Sequence, residues 1–124
     1  MTPLEALRAL FAAWEAGDAD ALDPLFTDDG AYLDPLKDGA LVGREAIVAA
    51  NREAMAAIEE CAITVSLVLE DGERAVAEGV FRSRLAGSDT RFDFPFVAVA
   101  ELRDGRIARL AEYFDTRPLV GGAG

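Results

Sequence analysis

From Ile63 onward the apolar residues change period from three or four to two, and turn signals cut the new pattern at intervals. Ile63, Val65, Leu67 and Leu69 alternate with Thr64, Ser66 and Val68, the spacing of a strand whose successive side chains point to opposite faces. Asp71-Gly72 and Asp104-Gly105 are two-residue hairpin signals, and Gly87-Ser88 marks a third, looser turn. Asp-Gly suits such turns because both residues accept the positive φ angles that match a tight turn to the twist of its strands. The C-terminal half is therefore predicted to be a four-strand antiparallel meander.

The first half has helical spacing. Thr2-Pro3-Leu4-Glu5 has the form of a capping box with proline in the first turn, and Leu4, Leu7, Phe11 and Trp14 recur along one face, so a helix is predicted to about Ala16, stopping at Gly17. Asp18 can cap a second, shorter helix carrying Leu22, Leu25 and Phe26. The run Asp29-Gly30-Ala31-Tyr32-Leu33-Asp34-Pro35 reads as a strand that puts Tyr32 and Asp34 on one face. Gly43-Arg44-Glu45 opens a third helix, reaching roughly Glu59, with Ile47, Asn51, Ala54 and Ile58 along one face. Helix, helix, strand, helix and four strands make an α+β fold, with three N-terminal helices packed on one face of a curved, mostly antiparallel sheet. The 124 residues suit a single domain, residues 1–120, with 121–124 a flexible glycine-rich tail.

Composition removes several classes of function. A net charge of −11 repels phosphate backbones, so no nucleic acid partner is expected. The chain has no histidine, which removes Ser-His-Asp and Cys-His triads and the usual imidazole metal sites. Cys61 is the only cysteine, expected as a buried structural thiol. The only lysine, Lys37, sits in a polar loop and is expected to be solvated. No apolar stretch approaches the roughly 20 residues of a membrane helix, and the N-terminus lacks a signal-peptide layout. No membrane partner and a cytoplasmic location are expected, with neither metal nor cofactor.

Ala16-Gly17-Asp18 after the first helix, Leu25-Phe26-Thr27-Asp28-Asp29 before the first strand, Gly43-Arg44-Glu45-Ala46-Ile47 at the third helix and Asp104-Gly105-Arg106-Ile107 between the last strands together resemble the NTF2-like superfamily, and more closely its ketosteroid isomerase and SnoaL-like branch. The resemblance covers nearly the whole chain and implies a cone enclosing an apolar pocket. It also implies that Asp34, immediately before Pro35, is the base that moves a proton between two carbons of an enone. The family's first-helix tyrosine falls at about Leu10 and its protonated aspartate at about Ala98, neither of which carries a donor. The limonene-epoxide hydrolase branch gives a second partial likeness. Tyr32 matches its tyrosine, Asp34 stands where its asparagine would be, and Glu112 falls on its last-strand aspartate. Its arginine and second acid fall at about Gly79 and Phe81.

Alternation along the strands builds the same cup from the residues. If Glu112 faces inward, so do Leu110 and Phe114, and the neighbouring strands present Phe94, Phe96, Ala98 and Phe81. Trp14, on the first helix, either joins the core stripe or lines the deep end. An apolar concavity with a few convergent polar groups is the usual form of a small-molecule site. Within it Asp34 is either a desolvated base with a raised pKa or merely the start of the turn at Pro35. Glu112 is either a second carboxylate of the site or the partner of Arg109 or another arginine. Tyr32 donates either to a ligand or carboxylate, or to a backbone carbonyl. The expected function is that of a small-molecule enzyme transferring a proton on an apolar carbonyl-type ligand, with Asp34 as base and Tyr32 and Glu112 as auxiliaries. Two alternatives stand beside it: epoxide-hydrolase-like water activation by Glu112 and Asp34, and a non-catalytic apolar-ligand-binding module. Val76, Val80, Arg82 and Arg84 fall opposite the cup, where the family resemblance implies a homodimer.

Overall fold

The computed structural model describes residues 1–120; the expected tail at 121–124 lies outside them. Helix α1 runs from Pro3 to Ala16, a 3-10 segment from Ala19 to Leu25, strand β1 from Phe26 to Leu33, β2 from Leu41 to Val42, and helix α2 from Arg44 to Ala56. The meander follows as β3 (Ile58–Asp71), β4 (Arg74–Leu85), β5 (Arg91–Arg103) and β6 (Arg106–Phe114), with a single turn of helix, α3, at Arg117–Val120. This is the expected α+β arrangement.

Local chemistry accounts for the boundaries. The Thr2 hydroxyl accepts the Glu5 N–H, and the Glu5 carboxylate reaches back to the Thr2 N–H at 2.8 Å, so two of the orphan donors of α1 are satisfied. Asp18 caps the 3-10 segment by accepting the Ala21 N–H; Pro24 lies within it, where its missing N–H removes a helical hydrogen bond. At the last hairpin Asp104 and Gly105 have φ of 53° and 78°, the two successive positive angles that the Asp-Gly signal anticipates. Two boundaries differ from expectation. Helix α2 stops at Ala56 instead of Glu59, because Ile58 and Glu59 are already paired with Leu85 and Arg84. The first strand runs from 26 to 33, earlier than the run 29–35, because its pairing with β6 begins at Phe26 opposite Ile107 and ends at Leu33 opposite Ala111.

The described strands form one six-stranded sheet in the order β2-β1-β6-β5-β4-β3. All neighbours are antiparallel except β1 and β6, which run parallel. Parallel neighbours require a long crossover, and here that crossover contains β2, α2 and the first three strands of the meander. Leu7 and Leu10 from α1, Leu22 and Phe26, Ile47 from α2, and Ala75, Ala77, Ala98, Ala100, Ile107 and Leu110 from the sheet form one continuous buried core. Small alanines on β4 and β5 leave room for the helix above them.

Gly79 shows how tightly β3 and β4 approach. A Cβ placed there would lie 2.2 Å from the Thr64 carbonyl oxygen, beside the register shift between Val65 and Leu67. Backbone cannot move aside as a side chain can. Gly79→Ala is therefore expected to destabilise the fold by roughly 1–3 kcal/mol, read as a lowered midpoint in thermal or urea denaturation; an unchanged midpoint would show that the two strands separate freely.

Candidate functional site

Concave-facing residues of the sheet, with α1, α2 and the β1–β2 loop, enclose a cavity of about 470 Å³. Its wall is aromatic: Phe81, Phe94 and Phe114 form a chain with ring centroids 5.2 and 5.1 Å apart, Trp14 meets Phe81 edge-on at 5.9 Å, and Phe11 meets Phe96 at 5.5 Å. Trp14, Phe81, Phe94, Phe96 and Phe114 all line the cavity as the alternation predicts. Ala98 and Leu110 do not. They face the same side of the sheet but lie fully buried in the core with Leu7 and Leu10, because α1 covers the concave surface at that level and leaves no open space.

Polar groups enter the cavity at few points. Parallel pairing sets Tyr32 opposite Leu110 and Leu33 opposite Ala111, so Tyr32 on β1 and Glu112 on β6 are diagonal neighbours on one face, within reach of long side chains. The Tyr32 hydroxyl donates a short hydrogen bond to Glu112 Oε1. Tyr32 is 6% exposed. What remains accessible of Glu112 opens into the cavity between apolar walls. Burial drives its carboxyl pKa up to about 7, against the Tyr32 hydrogen bond, which favours the charged form, and with the help of the Asp34 charge. The Tyr32 hydroxyl is held well above the usual phenol value, first by burial and then by the Glu112 charge, so it remains a donor. Glu112 makes no ion pair with Arg109 or any other arginine among the described residues. In place of the arginine pair considered for Glu112 stands a tyrosine–carboxylate pair.

Asp34 takes a different position from the one expected. It lies one residue past β1, and its Oδ1 accepts the Leu36 N–H at 2.8 Å, the bond of an Asx turn around Pro35. It nonetheless lines the cavity, with Leu36 and Lys37 of the same loop. Lys37, expected to be a solvated loop residue, is exposed but stands at this rim. Asn51 is buried on α2, accepting from Trp14 Nε1 at 3.1 Å and donating to the Ile47 carbonyl at 2.8 Å. Its role is to hold the indole in place. The Cys61 thiol is pushed up to about 11 by burial and then by the Glu15 charge, so it is a poor nucleophile.

Ser83 and Phe92 also line the cavity and escaped the sequence reading. Ser83 lies two residues after Phe81 on β4, opposite Phe92 on β5, so the alternation that found Phe81 extends to both. Among the described residues no group of three or more His, Cys, Asp or Glu side chains is placed to hold a metal ion. No helix of the described residues is long and apolar enough to cross a membrane.

The sequence matches the SnoaL-like domain model over residues 7–110. The chain belongs to the SnoaL-like family. No curated protein matches it. Solved structures agree on the fold. A hypothetical protein from Catenulispora acidiphila with a ketosteroid-isomerase-like fold, crystallised with trimethylamine, is 27% identical with a TM-score of 0.84, over 98% of this chain and 92% of that one. An epoxide hydrolase of limonene-epoxide-hydrolase type from M. tuberculosis is 22% identical with a TM-score of 0.79, over 95% and 86%. IdmH of Streptomyces antibioticus, a proposed polyketide cyclase, is 20% identical with a TM-score of 0.81, over 100% and 99%. This SnoaL-like chain is thus an NTF2-like cone with an aromatic cavity.

The raised Glu112 pKa has a measurable consequence for stability. The folded chain keeps the proton up to about pH 7, whereas the unfolded value is 4.5. Between those limits the native state binds more protons, so stability falls as pH rises through the window. The full difference corresponds to at most about 3 kcal/mol. Glu112→Gln removes the penalty, so its melting temperature should exceed the wild type's at pH 8 and match it at pH 4.5; equal curves at both would show that Glu112 is solvated.

Proposed function

We propose that the chain is a cofactor-independent enzyme of the ketosteroid-isomerase-like class, in which Glu112, hydrogen-bonded by Tyr32, transfers a proton on an apolar carbonyl compound. The Tyr32–Glu112 pair in an aromatic wall carries this reading. A base is most effective when its pKa lies near the working pH, and Glu112 is brought there by burial. Its carboxylate takes a proton from the carbon next to the carbonyl, and the electron pair of that C–H bond moves onto the carbonyl oxygen. Once Glu112 is protonated it accepts from Tyr32 more weakly, and the hydroxyl turns to donate to the more basic enolate oxygen. Glu112 returns the proton to the same or a neighbouring carbon. Asp34, expected from the resemblance as the base, becomes the second carboxylate of the rim, since one of its oxygens is engaged by the Leu36 N–H. Tyr32 supplies the donor that Leu10 and Ala98, both apolar and buried in the core, cannot.

Water activation by Glu112 and Asp34, as in epoxide hydrolysis, uses the same pair. It needs a cation or acid at the leaving oxygen; among the described residues no arginine lines the cavity, and Lys37, the cation that does, is exposed at its rim. At Gly79, where the resemblance would place the arginine, a side chain would collide with the Thr64 carbonyl. Proton transfer at carbon is the reading that these residues favour.

The test substrate is 2-tetralone, an apolar ketone whose C1 protons are activated by both the ring and the carbonyl. Incubated with the protein in D2O, it should exchange at C1 with a rate that rises with pH through about 7 and then levels, as the base form accumulates. Glu112→Gln should slow exchange by about 10²–10⁴-fold, while Asp34→Asn should keep it within about an order of magnitude. If Asp34→Asn abolishes exchange and Glu112→Gln does not, the base is Asp34. Binding without exchange in any form would leave a ligand-binding module.

The reading includes a homodimer. Register places Leu69, Val76, Val99 and Ala111 in one row on the convex face, and Leu67, Glu78, Val97 and Tyr113 in the next. Leu67, Leu69 and Tyr113 are 50%, 62% and 58% exposed, and such contiguous apolar surface marks an interaction site. Sedimentation should give a dimer at micromolar concentration that Leu67→Glu dissociates; a wild-type monomer would remove this interface.

A further inference from the structure

Ser83 is 2% exposed, and its Oγ has no hydrogen-bond partner among the described residues. It lines the cavity, with Phe81 and Leu85 as the inward-facing residues on either side of it along β4 and Phe92 across from it on β5. A buried hydroxyl left without a partner costs free energy that an alanine of similar shape would avoid. Asn51 and Ala57 bound the same cavity, but neither bonds Ser83. Asn51 is held between Trp14 and Ile47, and the Ala57 carbonyl at the end of α2 takes the Ala86 N–H. A partner for Ser83 can reach it from the cavity that it lines.

The position of Ser83 specifies the shape of that group's carrier. Glu112 is opposite Ala98 on β5, and Ser83 is opposite Phe92, six residues further along that strand and on its other flank. The path along the sheet is about 20 Å, shorter across its concave side, and it runs over the phenylalanine wall. We infer that the cavity takes an elongated, largely aromatic or alicyclic ligand with two oxygen functions, one at the Tyr32–Glu112 pair and a second, hydroxyl or carbonyl, that hydrogen-bonds Ser83. This rests on the proton-transfer reading for the first pole only. The second pole stands on the buried hydroxyl and the cavity that it faces.

The experiment compares 6-phenyl-2-tetralone with 6-(4-hydroxyphenyl)-2-tetralone, which differ only by a hydroxyl at the end remote from the ketone. Calorimetric titration should show the wild type binding the hydroxylated ketone about fivefold more tightly. In Ser83→Ala that preference should fall to within about twofold, with affinity for the unsubstituted ketone unchanged. The melting temperature of Ser83→Ala should equal or exceed the wild type's, since no internal hydrogen bond is lost; Ser83→Cys, nearly isosteric, repeats the comparison if alanine disturbs packing. No wild-type preference, a preference that survives both substitutions, or a marked fall in melting temperature would overturn the assignment. Deuterium exchange at C1 of the same ketones separates the two readings. Preference without exchange refutes proton transfer and upholds the Ser83 contact, and exchange without preference does the reverse.

Discussion

Strand β1 joins the sheet parallel to β6, and the tyrosine–carboxylate pair of the cavity depends on that pairing. Tyr32 and Glu112 are 80 residues apart in sequence, and each bonds the other in place of the partner nearer in the chain, Asp34 or Arg109. Parallel alignment sets Tyr32 opposite Leu110, so that Glu112, two residues on, projects from the same face within reach of the phenol. A slip of one residue would turn one of the two side chains to the convex face. Leu110, fully buried on the concave side, and Tyr113, 58% exposed on the convex side, pin the register against such a slip.

Desolvation then does what neighbouring charges do elsewhere. Most carboxylates of this acidic chain lie at the surface, several in arginine pairs such as Arg44–Asp28 at 2.8 Å and Arg84–Glu59 at 2.6 Å; such exposed pairs contribute little to stability. Glu112 is set among phenylalanines with a neutral donor, which raises its affinity for a proton. The aromatic wall of the cavity is therefore also what raises the proton affinity of Glu112. Asp34, a few residues from Tyr32, is drawn instead into the backbone of its own turn. Two carboxylates at one cavity are thus given different environments.

Much of this was legible before any coordinates. The capping box, the Asp-Gly hairpins and the period-two runs each report a local backbone preference, and local preferences survive into the fold. Alternation also placed Phe81, Phe94, Phe96, Phe114 and Glu112 on the concave face, because side-chain direction in a strand is a matter of counting. Ala98 and Leu110 mark its limit. Counting tells which face a residue points to, but not whether that face is open or covered at a given level.

What the sequence by itself determined is the succession of elements, the inward face of each strand and the apolar nature of the wall, since all three follow from backbone geometry and residue type along one segment. Tertiary structure alone decided that Tyr32 bonds Glu112, that Asp34 lies beyond the end of its strand, and that Ser83 is buried without a partner. Each of these turns on where two distant segments come to lie: β1 against β6, the loop after β1 against the cavity rim, and β4 against β5. Burial and hydrogen bonding are properties of those encounters, and the energy of a buried polar group is set by whatever the fold brings within about 3 Å of it.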